Sequence, residues 1–302
     1  MKTKTLVVVV AFALMLAFPA TEGFAAERHE LVETVGTHGS INWSDRIITA
    51  IGIGTPPEKY YGKPQARAMA LRAAQLDAYR NLLEVTRGVR VDATTMVRDS
   101  MVESDVIRSQ VEGMVKGAQI VKKEYLSDGT VEVTLAISLN GGFAQLILPK
   151  DIKQVPEIKA ISPAPLTPLE ERKVGEASLP LSPEPATPPT IYTGLVVDAR
   201  GLNGRPSMSP KIFDENGLEV YGSAYVSREF AVQQGMAGYA RNLTAAQANP
   251  RVTNEPFTLK GLRTEGPGRC SFVISNADAA EIRSASENLS FLKKCRVMIV
   301  FD

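Results

Sequence analysis

Residues 118–139 read AQIVKKEYLSDGTVEVTLAISL, and this stretch decides the fold of the first half of the chain. Asp128-Gly129 supplies the positive-φ positions that a tight antiparallel turn requires. After the turn, Val131, Val133, Leu135, Ile137 and Leu139 alternate with Glu132, Thr134, Ala136 and Ser138. A period of two places the first set on one face and the second on the other, so one face is buried and one is wet. The reading is a hairpin of Ala118–Leu126 and Thr130–Leu139 around Ser127-Asp128-Gly129. Two strands alone are marginal in water, so the apolar face needs a helix or further strands.

Upstream the sequence supplies both. Arg46-Ile-Ile-Thr-Ala-Ile-Gly-Ile-Gly54 is a β-branched run ending in glycines, a strand signal. A helix follows from Pro64, suited to a first turn, to about Arg87, with Gly88 as its stop. Leu71, Ala74, Ala78, Leu82 and Val85 draw one apolar stripe along it. Ala66, Ala68, Ala70 and Ala73 add small side chains that permit close approach to a sheet. A second helix spans about Ser104 to Val115 and carries Val106, Ile107, Val111 and Met114. Helices laid on an antiparallel sheet make an α+β domain over residues 26–148.

The runs INWSDRIITAIGIG (41–54), ARAMALRAAQLDAYRNLLEVTRGVRVDATT (66–95) and VEGMVKGAQIVKKEYLSDGTVEVTLAISL (111–139) resemble the twenty-kilodalton outer-membrane lipoprotein family and the related N-terminal domain of flagellar assembly protein T. The resemblance covers about residues 40–140. It implies a non-catalytic envelope protein, in some relatives attached to the flagellar basal body, and it brings no catalytic residues with it.

The first 25 residues set the compartment. Lys2 and Lys4 precede an apolar run from Leu6 to Phe18, Pro19 breaks it, and small residues lie at Gly23 and Ala25, the pattern of a signal peptide cleaved after Ala25. A membrane anchor would need about 20 apolar residues, more than this run offers. No Cys lies near the cleavage point, so a lipoprotein anchor is not expected. The mature chain is expected in the periplasm or secreted, with no transmembrane segment.

Charge narrows the partners. The full chain has 34 Lys and Arg against 33 Asp and Glu, and loss of Lys2, Lys4 and Glu22 leaves 32 of each. Nucleic-acid binding gathers cations, and there is no long basic run, so no nucleic-acid partner is expected.

Ten of the 19 prolines fall within 149–191. Proline fixes φ and removes an amide donor, so this segment reads as a linker between two domains. In polyproline form it would extend roughly 3.1 Å per residue and could hold its ends on the order of 100 Å apart. A tether without fixed geometry, or a ligand of a proline-binding module, fits the composition as well.

The second domain, 192–302, mixes strands and helices. Tyr192–Asp198 is an apolar strand, Lys211–Asp214 and Leu218–Tyr221 form a hairpin, and Phe257–Leu262 is a weaker strand. Residues 223–255 read as partly helical. At the end, Ser271–Ile274, a helix carrying Ile282, Ala285, Leu289 and Leu292, and Val297–Phe301 read as a βαβ unit with a parallel pair. The unbroken final strand predicts burial on both faces.

Little here points to chemistry. Gly52-Ile53-Gly54 follows a strand, but Pro56-Pro57 and Tyr60-Tyr61 intervene before any helix, so no dinucleotide loop is read. His29 and His38 lack further ligands, and no metal or other cofactor is expected. No nucleophile elbow occurs, and the protein is not expected to be an enzyme. One constellation remains. Asp198, Asn276 and Asp302 each end a predicted strand, and Arg200 and Asp278 lie two residues beyond the first two. If those strands run parallel, all five converge on the carboxyl edge of a sheet, where open α/β sheets bind ligands. The alternative is that they stop strands and cap helices.

Cys270 and Cys295, the two cysteines, precede the two strands of the predicted βαβ unit. Were those strands neighbours about 4.8 Å apart, an exported chain could join them in a disulfide. An intervening strand would instead leave two buried thiols. The functional expectation is a non-enzymatic protein that binds other envelope or appendage-assembly components. The second reading is an exported ligand sensor or enzyme that uses the acidic edge of the C-terminal sheet.

Overall fold

A computed structural model describes residues 30–152, 191–284 and 286–302. The signal-peptide reading of residues 1–25, His29, most of the Pro-rich segment 149–191 and Ala285 lie outside the described residues.

The N-terminal half contains β1 (Val32–Val35), β2 (Gly39–Asn42), β3 (Ile47–Gly54), α1 (Pro64–Arg87), α2 (Val97–Glu103), α3 (Asp105–Lys116), β4 (Gln119–Tyr125), β5 (Val131–Ser138) and α4 (Gly142–Ile147). The strands form one antiparallel sheet in the order β1-β2-β3-β5-β4. The hairpin is as the sequence predicts: Gly129 takes φ +87°, Thr130 N–H donates to Asp128 Oδ1 at 2.9 Å, and Val131, Val133 and Leu135 are buried.

Helix α1 has the predicted bounds, and its stripe of Ala74, Ala78, Leu82 and Val85 is buried, with Ala70 in place of the half-buried Leu71. It crosses β3 so closely that glycine is needed beneath it. A Cβ on Gly52 would stand 2.0 Å from Ala78 N, and one on Gly54 2.1 Å from Ala70 O. The two glycines are thus packing residues, facing alanines across the contact. On α3, Val111 is buried and Ile107 and Met114 are half-buried. Val106, read as part of that apolar face, is 66% exposed.

The C-terminal half contains β6 (Gly194–Asp198), β7 (Lys211–Phe213), β8 (Glu219–Tyr221), α5 (Arg228–Gln234), β9 (Gly238–Ala240), α6 (Leu243–Gln247), β10 (Pro256–Lys260), β11 (Arg263–Glu265), β12 (Ser271–Val273), α7 (Asn276–Arg283), α8 (Ser286–Lys293) and β13 (Val297–Val300). Two sheets result, one parallel in the order β10-β6-β13-β9 and one mixed in the order β11-β12-β7-β8. All four residues of β13 are buried. Val297 and Ile299 join the main core, and Met298 and Val300 pack with Ala246 of α6 on the opposite face.

This topology corrects the predicted terminal βαβ unit. β12 pairs with β7 and β11, whereas β13 lies between β6 and β9 in the other sheet. The segment between them is two helices rather than one. Sequence adjacency fixes neighbouring strands only as a tendency, and here the final strand completes an older sheet. The predicted disulfide falls with it: Cys270 and Cys295 are buried free thiols that precede strands of different sheets.

The halves on either side of the Pro-rich segment pack together rather than being held apart. One apolar cluster runs through both, and Trp43, Tyr239, Phe301 and Phe272 form a chain of ring contacts with centroids 5.7–5.9 Å apart. Backbone bonds cross the junction as well: Met208 N–H to Arg90 O, Ser209 N–H to Val91 O, Gly268 N–H to Ala93 O and Gly141 N–H to Val232 O, all 2.7–3.0 Å.

Candidate functional site

The five polar residues predicted to converge divide into two groups. Asp198 closes β6 and takes a two-pronged bond from Arg200, Nε to Oδ1 at 2.8 Å and Nη2 to Oδ2 at 2.6 Å. Asp302 follows β13, and its Oδ2 accepts from Gly201 N–H at 2.8 Å. These three do gather at the carboxyl edge of the parallel sheet. The bond from Arg200 outweighs burial and holds the Asp198 carboxyl below its ordinary value.

Asn276 and Asp278 sit elsewhere, because β12 leads into them from the mixed sheet. Asn276 N–H donates to Glu215 Oε2 at 3.0 Å, and its Oδ1 accepts from Asn216 at 3.3 Å. Asp278 shares the α7 cap with Ser275, whose Oγ accepts from Asp278 N–H at 3.0 Å. They cap a helix, as the simpler reading of strand-ending polar residues allows. The predicted single site of five residues is therefore corrected to a three-residue edge plus a separate cap. Among the described residues no group of His, Cys, Asp and Glu is placed to hold a metal ion.

Two features that sequence reasoning missed offer more room. The first is on the N-terminal sheet, on the face away from α1. Strand β4 is exposed at all seven residues, and across β5 from it Ile47, Ile51 and Ile53 of β3 are each 37–40% exposed. A groove of about 500 Å³ opens here, lined by Ile47, Met114, Val121, Ala136 and Phe143 among others. The edge itself is defended: β4 carries a bulge between Ile120 and Lys122, then Lys122 and Lys123, devices that discourage indiscriminate strand addition. The apolar surface lies on the face, not along the backbone edge. The alternation in Arg46–Gly54 held a signal for it, since Ile47, Ile51 and Ile53 share one face while the face under α1 carries Ile48, Ala50, Gly52 and Gly54.

The second is a cleft of about 380 Å³ at the same carboxyl edge that Asp302 occupies, where β1 of the first half meets the ends of β9 and β13. Its walls bring together arginines from four separate parts of the chain.

Comparison with known proteins bears on the second half only. Residues 194–302 match the family model described as Treponema pallidum Tp0624, second domain. The match covers just over a third of the chain, and it begins at the first residue of β6 and runs through β13. The C-terminal half is similar to that domain as one unit, both sheets included. No curated protein matches the chain. No helix among the described residues is long and apolar enough to cross a membrane.

Proposed function

We propose that this is a non-enzymatic protein of the bacterial cell envelope that binds a protein partner through the open face of its N-terminal sheet. The observation that carries the reading is the apolar groove beside β4. An exposed apolar patch of this kind marks an interaction site more often than a bare surface. Lys116 and Lys123 flank the lining residues in sequence, while Lys122 beside them is paired with Glu124 at 2.8 Å, so the partner would offer apolar side chains bordered by carboxylates. The signal-peptide pattern supports export, and the resemblance of residues 40–140 supports an envelope role, the flagellar basal body being one candidate assembly.

The test is crosslinked capture from intact envelope with the full chain and with Val121→Glu, which places a charge in the groove. Val121 is 57% exposed, so the melting temperature of the variant should stay unchanged. A defined envelope component retrieved by the parent and lost with the variant supports the reading; none retrieved, or equal retrieval by both, overturns it. Cell fractionation tests export, and normal swimming after deletion would remove the flagellar assignment.

A further inference from the structure

The geometry points to a second, small-molecule site: the arginine-lined cleft at the carboxyl edge of the parallel sheet binds a phosphate monoester. It shares no lining residue with the groove on the N-terminal sheet, so neither proposal depends on the other.

Four arginines line the cleft, Arg90, Arg205, Arg241 and Arg269, together with the carboxylates Glu33 and Asp302. Arg90 is already spent. It is buried, its Nε donates to Pro206 O at 2.9 Å, and both of its terminal nitrogens donate to Glu33. The pair makes a neutral floor. Arg205, Arg241 and Arg269 are exposed, and among the described residues their guanidinium groups have no ion pair or hydrogen bond. Three forks that match oxyanion geometry therefore face a cleft with one carboxylate, Asp302, remaining.

The backbone fixes where two of the arginines leave the chain. Arg205 N–H donates to Arg269 O at 2.9 Å, and Arg269 itself takes φ +52°, a conformation rare for a residue with a side chain. Gly204 fixes the approach of Arg205, since a Cβ there would stand 2.7 Å from both Phe272 and Phe301. Arg241 directly follows β9, as Asp302 follows β13. The site thus occupies the edge at which parallel sheets place their ligands.

Charge selects the ligand class. A phosphate monoester carries about −1.5 to −2 at neutral pH and presents three terminal oxygens, which matches three unpaired forks. A carboxylate brings one charge and two oxygens. Leu31 and Phe301 on the walls give the organic part of a monoester an apolar surface. The volume, near the lower end for small-ligand sites, suits a ligand of sugar-phosphate size.

The test is isothermal titration of the full chain, at constant ionic strength, with glucose 6-phosphate, inorganic phosphate, succinate and glucose. Saturable binding of glucose 6-phosphate, weaker binding of inorganic phosphate and none of the other two is expected. Arg205→Gln and Arg241→Gln should each weaken binding by about tenfold, the loss of one charge-assisted contact, and should leave the melting temperature of the free protein unchanged. Lys122→Gln, outside the cleft, should bind as the parent does. No saturable heat with either phosphate compound, or undiminished binding by both arginine variants, overturns the site. Tighter binding of succinate overturns the phosphate assignment, and equal affinity for inorganic phosphate overturns the contribution of the apolar wall.

Discussion

Gly235 lies directly against the guanidinium of Arg46: a Cβ built on the glycine would stand 2.0 Å from Arg46 Cζ. Arg46 belongs to the N-terminal half and Gly235 to the turn between α5 and β9, so this contact is part of the junction between halves. The turn is gripped from both sides. Arg251 donates to the carbonyls of Gln234 and Gly235, Tyr221 to Met236 and Arg46 to Ala237. Four successive carbonyls are thereby satisfied by side chains.

Gly235→Ala should therefore be costly in two ways. It forces a side chain onto φ +78° and ψ 161°, a region open essentially to glycine alone, and into the space of a buried guanidinium, for about 2–6 kcal/mol in total. Gly36→Ala has a similar φ of +63° but nothing within 4 Å, and should cost about 1 kcal/mol. Urea unfolding of the two variants measures the difference, and equal losses would mean that Arg46 yields freely.

The contact of α1 with β3 makes a sharper demand. On Gly52 the added Cβ meets helix backbone, Ala78 N at 2.0 Å and Ala74 O at 2.3 Å, and neither can swing aside as a side chain can. Gly52→Ala should push the helix off the sheet and lower stability by about 3 kcal/mol or more. Thermal melts followed by circular dichroism check it. A variant that melts with the parent would show that the sheet and helix separate without cost.

These elements also show how far the sequence was legible. Helix α1 and the β4–β5 hairpin were readable because their signals are local: a 3.6-residue stripe between Pro64 and Gly88, and Asp128-Gly129 between alternating runs. The short strands β1, β2, β9 and β11 escaped because none holds two large apolar residues in succession, whereas the equally short β7, β8, β12 and β13 do. Strand pairing was harder still. Nothing in Ser271–Val273 or Val297–Val300 states that one joins Lys211–Phe213 and the other Gly194–Asp198, since that choice is made by burial across the whole half. The same holds for the arginine cleft. Arg205, Arg241 and Arg269 come from three separate segments of the C-terminal half with no common spacing, and the meeting of the two halves adds Arg90 beside them. Asp198, Arg200 and Asp302 could be gathered from strand ends alone, because their strands are adjacent and parallel.

Glu33 gives the junction an acid-sensitive element. Burial alone would raise its carboxyl, but the bonds and charge of Arg90, the indole N–H of Trp43 and the field of Arg205 outweigh it and hold the group below its ordinary 4.5. A carboxylate depressed in the folded state contributes stability above its unfolded value and loses it as pH falls through the folded one. Denaturant midpoints should therefore drop below about pH 4.5, and Glu33→Gln should flatten that limb. At neutral pH the same variant leaves the nearly buried Arg90 without a countercharge, and because the Glu33 side chain is a third exposed the loss should be about 1–3 kcal/mol, below that of a fully buried pair. An unchanged acid limb in Glu33→Gln would assign the acid sensitivity to other carboxylates.

Cys270 and Cys295 give the most direct check on the strand order. Burial pushes both thiols up to about 11 from an ordinary 9.0, so at neutral pH almost no thiolate is present to react. Cys270 Sγ lies 3.1 Å from Gly268 O, and Cys295 precedes the central strand of the parallel sheet. Iodoacetamide should add nothing to the native protein at pH 7.5 within minutes and two carbamidomethyl groups after unfolding, without any reductant. A folded thiol that keeps its proton also binds more protons than the unfolded one between pH 9 and about 11, so each contributes stability present below pH 9 and lost as pH rises across that window. Cys295→Ser should shrink the alkaline loss. Mass spectrometry of the unreduced, unfolded protein decides the matter: two labels fit strands in separate sheets, and a mass two daltons short with no label would mean that the chain joins its cysteines and that β12 and β13 stand side by side.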